Sequence, residues 1–366
     1  MKRFAILITV LTGVSLFLSS CEKDDKKQNA SFDRAQWLAY TADEIILPLM
    51  SQLEAQANDY GASVDAFVQS PDDTQLVECK EALFQLRMAY NRTLTYDFGP
   101  AFTHDVFNSV MVFPTDTGLV EGLVAAGSYN LESSSNVAAR GFAAAEYLLF
   151  HKGESEVVSE FLTDTQRGQF LKDLKDNALS HILPMISEWE GSYRSTFVSA
   201  TGTDVGSSTS LLINHWNINL ELAKNAKLAI PMGKRSLGVL YPEKVESAFA
   251  RRSSELLQAQ TEALTAFYEG RSELTDEMGL SLKDYVSVMG STVGNTTTAS
   301  TVSQQFDNIL LGWASAEGST LYDLVVARSQ ELEAIYQEYQ TTILHTKTEI
   351  PSLLGVSITY QDNDGD

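Results

Sequence analysis

The chain has 366 residues, 44% of them hydrophobic, which suits one large domain or two ordinary ones with packed cores and excludes a disordered polymer. A formal charge of −22 excludes nucleic acid as a partner held through its phosphates, because there is no excess of cations to displace counterions. The acidic surface reads either as a solubilising coat or as a field that attracts cations.

The N-terminus reads as an address. Lys2 and Arg3 precede an apolar run over residues 4–18, of signal-peptide length and short for a membrane span. Leu18-Ser19-Ser20-Cys21 follows and resembles the lipobox of bacterial lipoproteins, in which the cysteine is lipidated and becomes the first residue. Residues 1–21 are therefore expected to be a lipoprotein signal peptide. Residues 22–31, charged and without large apolar groups, are expected to be a tether. Lys23-Asp24-Asp25 is also similar to acidic export tags of surface-displayed lipoproteins. The second cysteine, Cys79, has no partner for an intramolecular disulfide. It falls in helical register with Leu76, Leu83, Leu86 and Tyr90, as a small core residue would.

From Phe32 onward the apolar spacing is helical. Trp37, Ile45, Ile46, Leu49, Leu53, Ala57 and Val64 share one face. A second helix is predicted over residues 73–96, broken by Phe98-Gly99-Pro100. Phe113-Pro114-Thr115-Asp116 is a loop whose Asp116 suits the N-cap of a helix over 117–126. Residues 127–136 are loop-like. Gly141-Phe142-Ala143-Ala144-Ala145-Glu146-Tyr147-Leu148-Leu149-Phe150 is then a buried helix with one carboxylate, Glu146, inside an apolar run. A carboxylate in such a place is paired or functional.

This stretch resembles the Gly-x-His-x-x-Glu signature of the imelysin (insulin-cleaving membrane protease) family. Gly141, Glu146, Tyr147, Leu148 and Leu149 match, while the histidine position is Ala143. Phe98-Gly99-Pro100 resembles the end of a family helix, Arg87 stands eleven residues before Phe98 where the family often has an arginine, and Phe113-Pro114-Thr115-Asp116 resembles the family's Trp-Pro-x-Asp. The resemblance implies an all-α fold of two helical-bundle domains, here assigned to residues 32–160 and 161–366. It also implies a role in the cell envelope connected with iron acquisition or regulation.

The second half repeats the helical pattern. A helix is predicted over 165–197, another over 210–230, and a start at Pro242-Glu243-Lys244-Val245-Glu246, which is similar to a helix start in imelysin-like lipoproteins and makes Glu246 the second candidate carboxylate. Residues 290–303 are predicted as loop, 321–346 as one long helix and 354–360 as strand. The acidic end, residues 361–366, does not fit a calcium loop. Two echoes suggest an internal duplication: Ile46-Leu47-Pro48 with Ile182-Leu183-Pro184, and Gly141 to Glu146 with Gly312-Trp313-Ala314-Ser315-Ala316-Glu317.

No His-Glu-x-x-His, phosphate loop or nucleophile motif is present, and His104, His151, His181, His215 and His345 are scattered. The expected function is that of an envelope-anchored binding protein without catalysis. Its ligand site would lie at the bundle interface, drawn from Glu146, Gly141, Arg87, Asp116 and Glu246. The alternatives are a metal-dependent peptidase and a structural or interaction lipoprotein with a decayed site, in which Glu146 serves only to dock the bundles. The cofactor stays open, a metal cation included. The expected partners are the membrane, through the N-terminal lipid, and envelope proteins of iron uptake. The expected place is the outer membrane, facing periplasm or surface. Replacing Cys21 with serine is predicted to abolish incorporation of radiolabelled palmitate and to move the protein from the membrane to the soluble fraction; labelled Cys21→Ser protein would refute the anchor.

Overall fold

The structure, a computed structural model, describes residues 31–360. The signal peptide, Cys21, almost all of the tether and the tail 361–366 lie outside the described residues. The fold is all-α: among the described residues there is no strand, only an isolated bridge between Arg271 and Met278. We number the helices of ten or more residues: α1 (Leu47–Gln69), α2 (Asp73–Thr93), α3 (Thr117–Ala126), α4 (Gly141–Phe150), α5 (Glu154–Thr163), α6 (Thr165–Glu188), α7 (Ser208–Leu222), α8 (Ser253–Glu269), α9 (Leu282–Val293), α10 (Thr298–Ser315) and α11 (Gln330–Leu344).

In one bundle α1 packs on α2 and α6, and α4 packs on α2 and α6; in the other, α8 packs on α10, α10 on α11, and α7 on both α8 and α11. The two are joined chiefly where α2 lies along α8. Helix α6 thus belongs with the helices before residue 160, and a boundary at 160/161 would cut a bundle in two. The chain crosses between α6 and α7. One continuous apolar core runs from Trp37 to Val356 and includes the seven apolar positions of the first predicted face. Cys79 is buried within it, and burial pushes its thiol up to about 12.

Several helices widen by one residue beside a proline. Wide turns at Thr41–Ile46, Ala223–Ala229 and His345–Glu349 each end two residues before a proline, at Pro48, Pro231 and Pro351. In each, the residue just before the proline donates to the carbonyl five back: Leu47 to Ala42, Ile230 to Asn225, Ile350 to His345. Proline has no N–H, and its ring collides with the carbonyl four residues earlier. The wider turn moves that carbonyl aside.

Four expectations need correction. Helix 321–346 is broken at Arg328, whose φ is +50°, because Ser329 caps a new helix by accepting from Leu332 N at 3.1 Å. Residues 290–303 are mostly helical, with only 294–297 between α9 and α10; hydroxyls such as Ser300 bond back to backbone carbonyls and so sit comfortably in a helix. The segment 354–360 is not a strand. The Asn214 amide takes the place of a neighbouring strand, donating to Ser357 O at 3.0 Å and accepting from Thr359 N at 2.8 Å. Pro242 opens only a single turn, Pro242–Lys244, and α8 begins at Ser253. The echoed sequences also occupy unlike places: Gly141 opens a helix, whereas Gly312 lies near the end of α10 and Glu317 is exposed beyond it.

Candidate functional site

The start of α4 is fixed by a close approach. Gly141 has φ +78°, and a Cβ there would lie 2.6 Å from Val110 O. Only glycine accepts both conditions, so Gly141 shapes the backbone and offers no side chain to a ligand. One and a half turns later, Glu146 is 2% exposed. Both of its oxygens are taken by the protein. Oε2 accepts from Arg87 Nη1 and from Ser247 Oγ (2.5 Å); Oε1 accepts from the backbone of Phe249 (2.9 Å) and Ala250 (3.2 Å).

Arg87 and Asn91 lie one turn apart on α2 and face the same way. Arg87 Nη2 donates to Glu246 O at 2.8 Å and lies 3.8 Å from Glu246 Oε1. Asn91 Nδ2 donates to Glu246 Oε1 at 3.0 Å. The other Glu246 oxygen is 2.7 Å from Lys227 Nζ, in the wide turn after α7. Lys227 also donates to Asn91 Oδ1 and to Gln260 Oε1 on α8, each at 2.6 Å. Two cations and two carboxylates thus form a neutral, buried quartet. Burial alone would raise the Glu246 carboxyl, but Lys227 and Arg87 outweigh it and hold the group below the usual glutamate range.

Beside the quartet is an open cavity of about 390 Å³. Its walls include Phe113 and Pro114, Ala143 of α4, and Val245, Ala248 and Phe249 of the irregular segment before α8. Residue 143 therefore borders open space, while residue 146, three further along, is locked. Glu246 also borders the cavity. Asp116 does not: it is exposed and caps α3, accepting from Leu119 N at 3.0 Å.

Of the residues picked from sequence, Glu146, Arg87 and Glu246 converge, while Gly141 and Asp116 serve the backbone. Lys227, Asn91, Gln260 and Ser247 were missed. A lysine in the apolar stretch Ala226-Lys227-Leu228-Ala229 was a legible hint, since such a charge needs a buried partner.

The residues do not fit a metal. Arg87 and Lys227 already supply the positive charge that a cation would bring to these carboxylates, and no imidazole is among their partners. Among the described residues no three His, Cys, Asp or Glu side chains gather as a metal site. The histidines are spent elsewhere: His104 on Glu188, His151 on Glu160, His181 on Glu132, His345 on Glu349. Burial among aromatic rings pushes His215 down to about 4.

The family model for imelysin, peptidase family M75, matches residues 46–343. The chain belongs to the imelysin family. Two crystal structures share its fold at low identity. One is of a protein described as an iron-regulated protein A precursor from Parabacteroides distasonis, with TM-score 0.75, 18% identity, and 88% of this chain and 95% of that chain covered. The other is of an imelysin-like protein from Psychrobacter arcticum, with TM-score 0.67, 16% identity, and coverage of 89% and 97%. No curated protein matches. In this imelysin chain Glu146 is held by four protein donors, and Ala143, three residues earlier, opens on a cavity.

Two predictions follow from the quartet. Arg87→Met leaves Glu146 without its cation in a dry site and is expected to cost about 3–5 kcal/mol of unfolding free energy, read from urea midpoints; Arg87→Lys, which keeps the charge, loses less. Equal losses for the two would mean that the charge is not what matters. The second concerns pH. A carboxylate held below its ordinary value of 4.5 contributes stability above that value and loses it as the pH falls through the folded-state value. Wild-type stability should therefore drop more steeply below about pH 4.5 than that of Glu246→Gln, as measured by denaturant titration at stepped pH; parallel curves would contradict the pairing.

Proposed function

We propose that this imelysin-family chain is a non-catalytic binding protein of the cell envelope, anchored through Cys21 and connected with iron acquisition or regulation. Its ligand would occupy the cavity beside Ala143. The observation that carries this reading is the contrast three residues apart: Glu146 is consumed by protein contacts, while Ala143 borders about 390 Å³ of open space with largely apolar walls. Such a concavity between packed helices is where a small ligand binds in bundle folds. The iron connection draws on the printed name of the Parabacteroides distasonis protein and on nothing in the cavity itself. Peptidase chemistry has no support in the site, because its carboxylates are neutralised by Arg87 and Lys227, no imidazole is among their partners, and the one hydroxyl on Glu146, that of Ser247, is buried. The structural reading draws on the same saturation of Glu146: a carboxylate with four protein donors is sufficient to dock two bundles and needs no ligand.

The experiment that separates these readings fills the cavity and leaves every residue of the quartet unchanged. A strain lacking the gene should grow poorly under iron chelation, and the wild-type gene should restore growth. Ala143→Phe places a ring in the open space and should fail to restore growth while its melting temperature stays within a few degrees of wild type. Full restoration by a folded Ala143→Phe would leave the structural reading, and a deletion strain indifferent to chelation would remove the iron connection.

A further inference from the structure

The turn between α8 and α9 is a hairpin that closes on itself. Ser272 N donates to Glu277 O at 2.9 Å and Gly279 N to Gly270 O at 3.0 Å, around the bridge from Arg271 to Met278. Arg271 Nη1 lies 3.3 Å from Asp276 Oδ1 within the same hairpin. The hairpin rests on the short helix Arg34–Tyr40, the first among the described residues. Tyr40 donates its hydroxyl to Glu277 O at 3.0 Å, and a Cβ at Gly279 would lie 2.3 Å from the Tyr40 ring. One hydrogen bond and one close approach thus hold the hairpin against that helix.

The other hold is Glu273, whose side chain is 8% exposed. Its Oε1 lies 3.4 Å from Arg92 Nε on α2, while Oε2 is buried without a hydrogen-bond partner among the described residues. Arg92 is shared, because its Nη2 lies 3.8 Å from Glu262 Oε2 on α8. One guanidinium therefore faces two carboxylates. Glu262 is 36% exposed and accepts from Gln258, so water carries part of its charge. Glu273 has no such relief. Arg271 of the hairpin and Tyr96 of the turn after α2 are the other groups that feel its charge. On the short helix the titratable neighbour of the hairpin is Tyr40, with Glu44 and Glu277 as its own charged neighbours. Burial pushes the Glu273 carboxyl up to about 7; Arg92 opposes the rise and Glu262 adds to it. Glu246, which has two cations, moves the other way.

We propose that the hairpin 270–279 is a pH-sensitive latch, closed on α2 and the first short helix while Glu273 is protonated and released as Glu273 ionises. The neutral carboxyl tolerates a dry place beside a shared cation. The ionised one, with an oxygen that no donor reaches, regains hydration only by leaving, and the hairpin that carries it lifts with it. Lifting also breaks the bond from Tyr40 to Glu277 O and frees the first helix from the hairpin. A carboxyl raised in the closed form favours closure most below its ordinary value of 4.5, and that preference is lost as the pH rises to about 7. Opening therefore increases from acid to neutral pH. The quartet behaves in the opposite sense, since its contribution is lost in acid.

The test is amide hydrogen exchange of the purified chain, read by mass spectrometry at stepped pH between 5 and 8 and corrected for the intrinsic rate at each. Opening of residues 271–279 is expected to rise at least tenfold across this range, with a ceiling of about 70-fold set by values of 4.5 open and about 7 closed. Glu273→Gln keeps the shape without the charge, so its protection there should not vary with pH. Arg92→Met removes the shared cation and should increase opening at pH 8 while leaving it near wild type at pH 5. Tyr40→Phe loses the bond to Glu277 O and should raise opening about fivefold at every pH alike, which ties the signal to the hairpin. Peptides from α10 should show no such rise in any of these proteins, and they report whether a variant has kept its fold. A wild-type profile that is flat from pH 5 to pH 8, or a folded Glu273→Gln variant whose profile is as steep as wild type, would overturn the latch.

Discussion

The fold depends on a neutral set of four charges removed from water. Arg87, Glu146, Lys227 and Glu246 have side chains no more than 3% exposed. Any one of them alone would be prohibitively costly to bury, and attraction offsets that cost only when every member is paired and hydrogen-bonded. The four come from different parts of the chain: α2, α4, the wide turn after α7 and the irregular segment before α8. Charge balance is therefore complete only when both bundles are docked and the crossing segment is in place. The quartet fixes the register of α2 against α8, since a slip would strand a carboxylate beside hydrocarbon.

The same arrangement explains why the chain is irregular between Tyr241 and Ser253. A helix starting at Pro242 would commit its backbone N–H groups to internal bonds. Here the N–H groups of Phe249 and Ala250 point at Glu146, and Ser247 contributes its hydroxyl as well. Arg251 is left with φ +61° immediately after these donors, so the segment wraps the carboxylate at some conformational cost. The cavity is a by-product of that wrapping. A segment that folds around a side chain on one face of α4 leaves space next to the small residue on the neighbouring position, and Ala143 is that residue.

The all-α class and the first two helices were legible because their apolar spacing is regular, and α3 because Asp116, read as a cap from sequence, caps it. The helix breaks at Arg328 and before Ser253 were not. Periodicity continues across them, and what stops the helix is a tertiary demand or a serine cap that competes with an equally good apolar register. Ser- and Thr-rich residues 298–303 were misread for the converse reason: their composition suggests a loop, but their hydroxyls bond back to the helix. At the site, Glu146 was conspicuous as a charge in an apolar run. Its partner Arg87 was found through the family resemblance. Lys227 was overlooked although its place in an apolar stretch hinted at a buried partner, and Asn91 was not found because its charged partners lie 136 and 155 residues away and leave no local pattern.

Positions 143 and 146 obey different constraints, and this bears on how that face of α4 is to be read. Removing Glu146 would leave a buried guanidinium, two backbone N–H groups and a hydroxyl without their acceptor, so the fold itself resists change there. Residue 143 has no such dependants. It borders open space, and a change of side chain there disturbs no buried partner. A buried glutamate on this face of α4 is therefore no sign of chemistry. It is what the packing alone would produce, and function at this face of α4 has to be read from the shape and lining of the cavity rather than from the carboxylate.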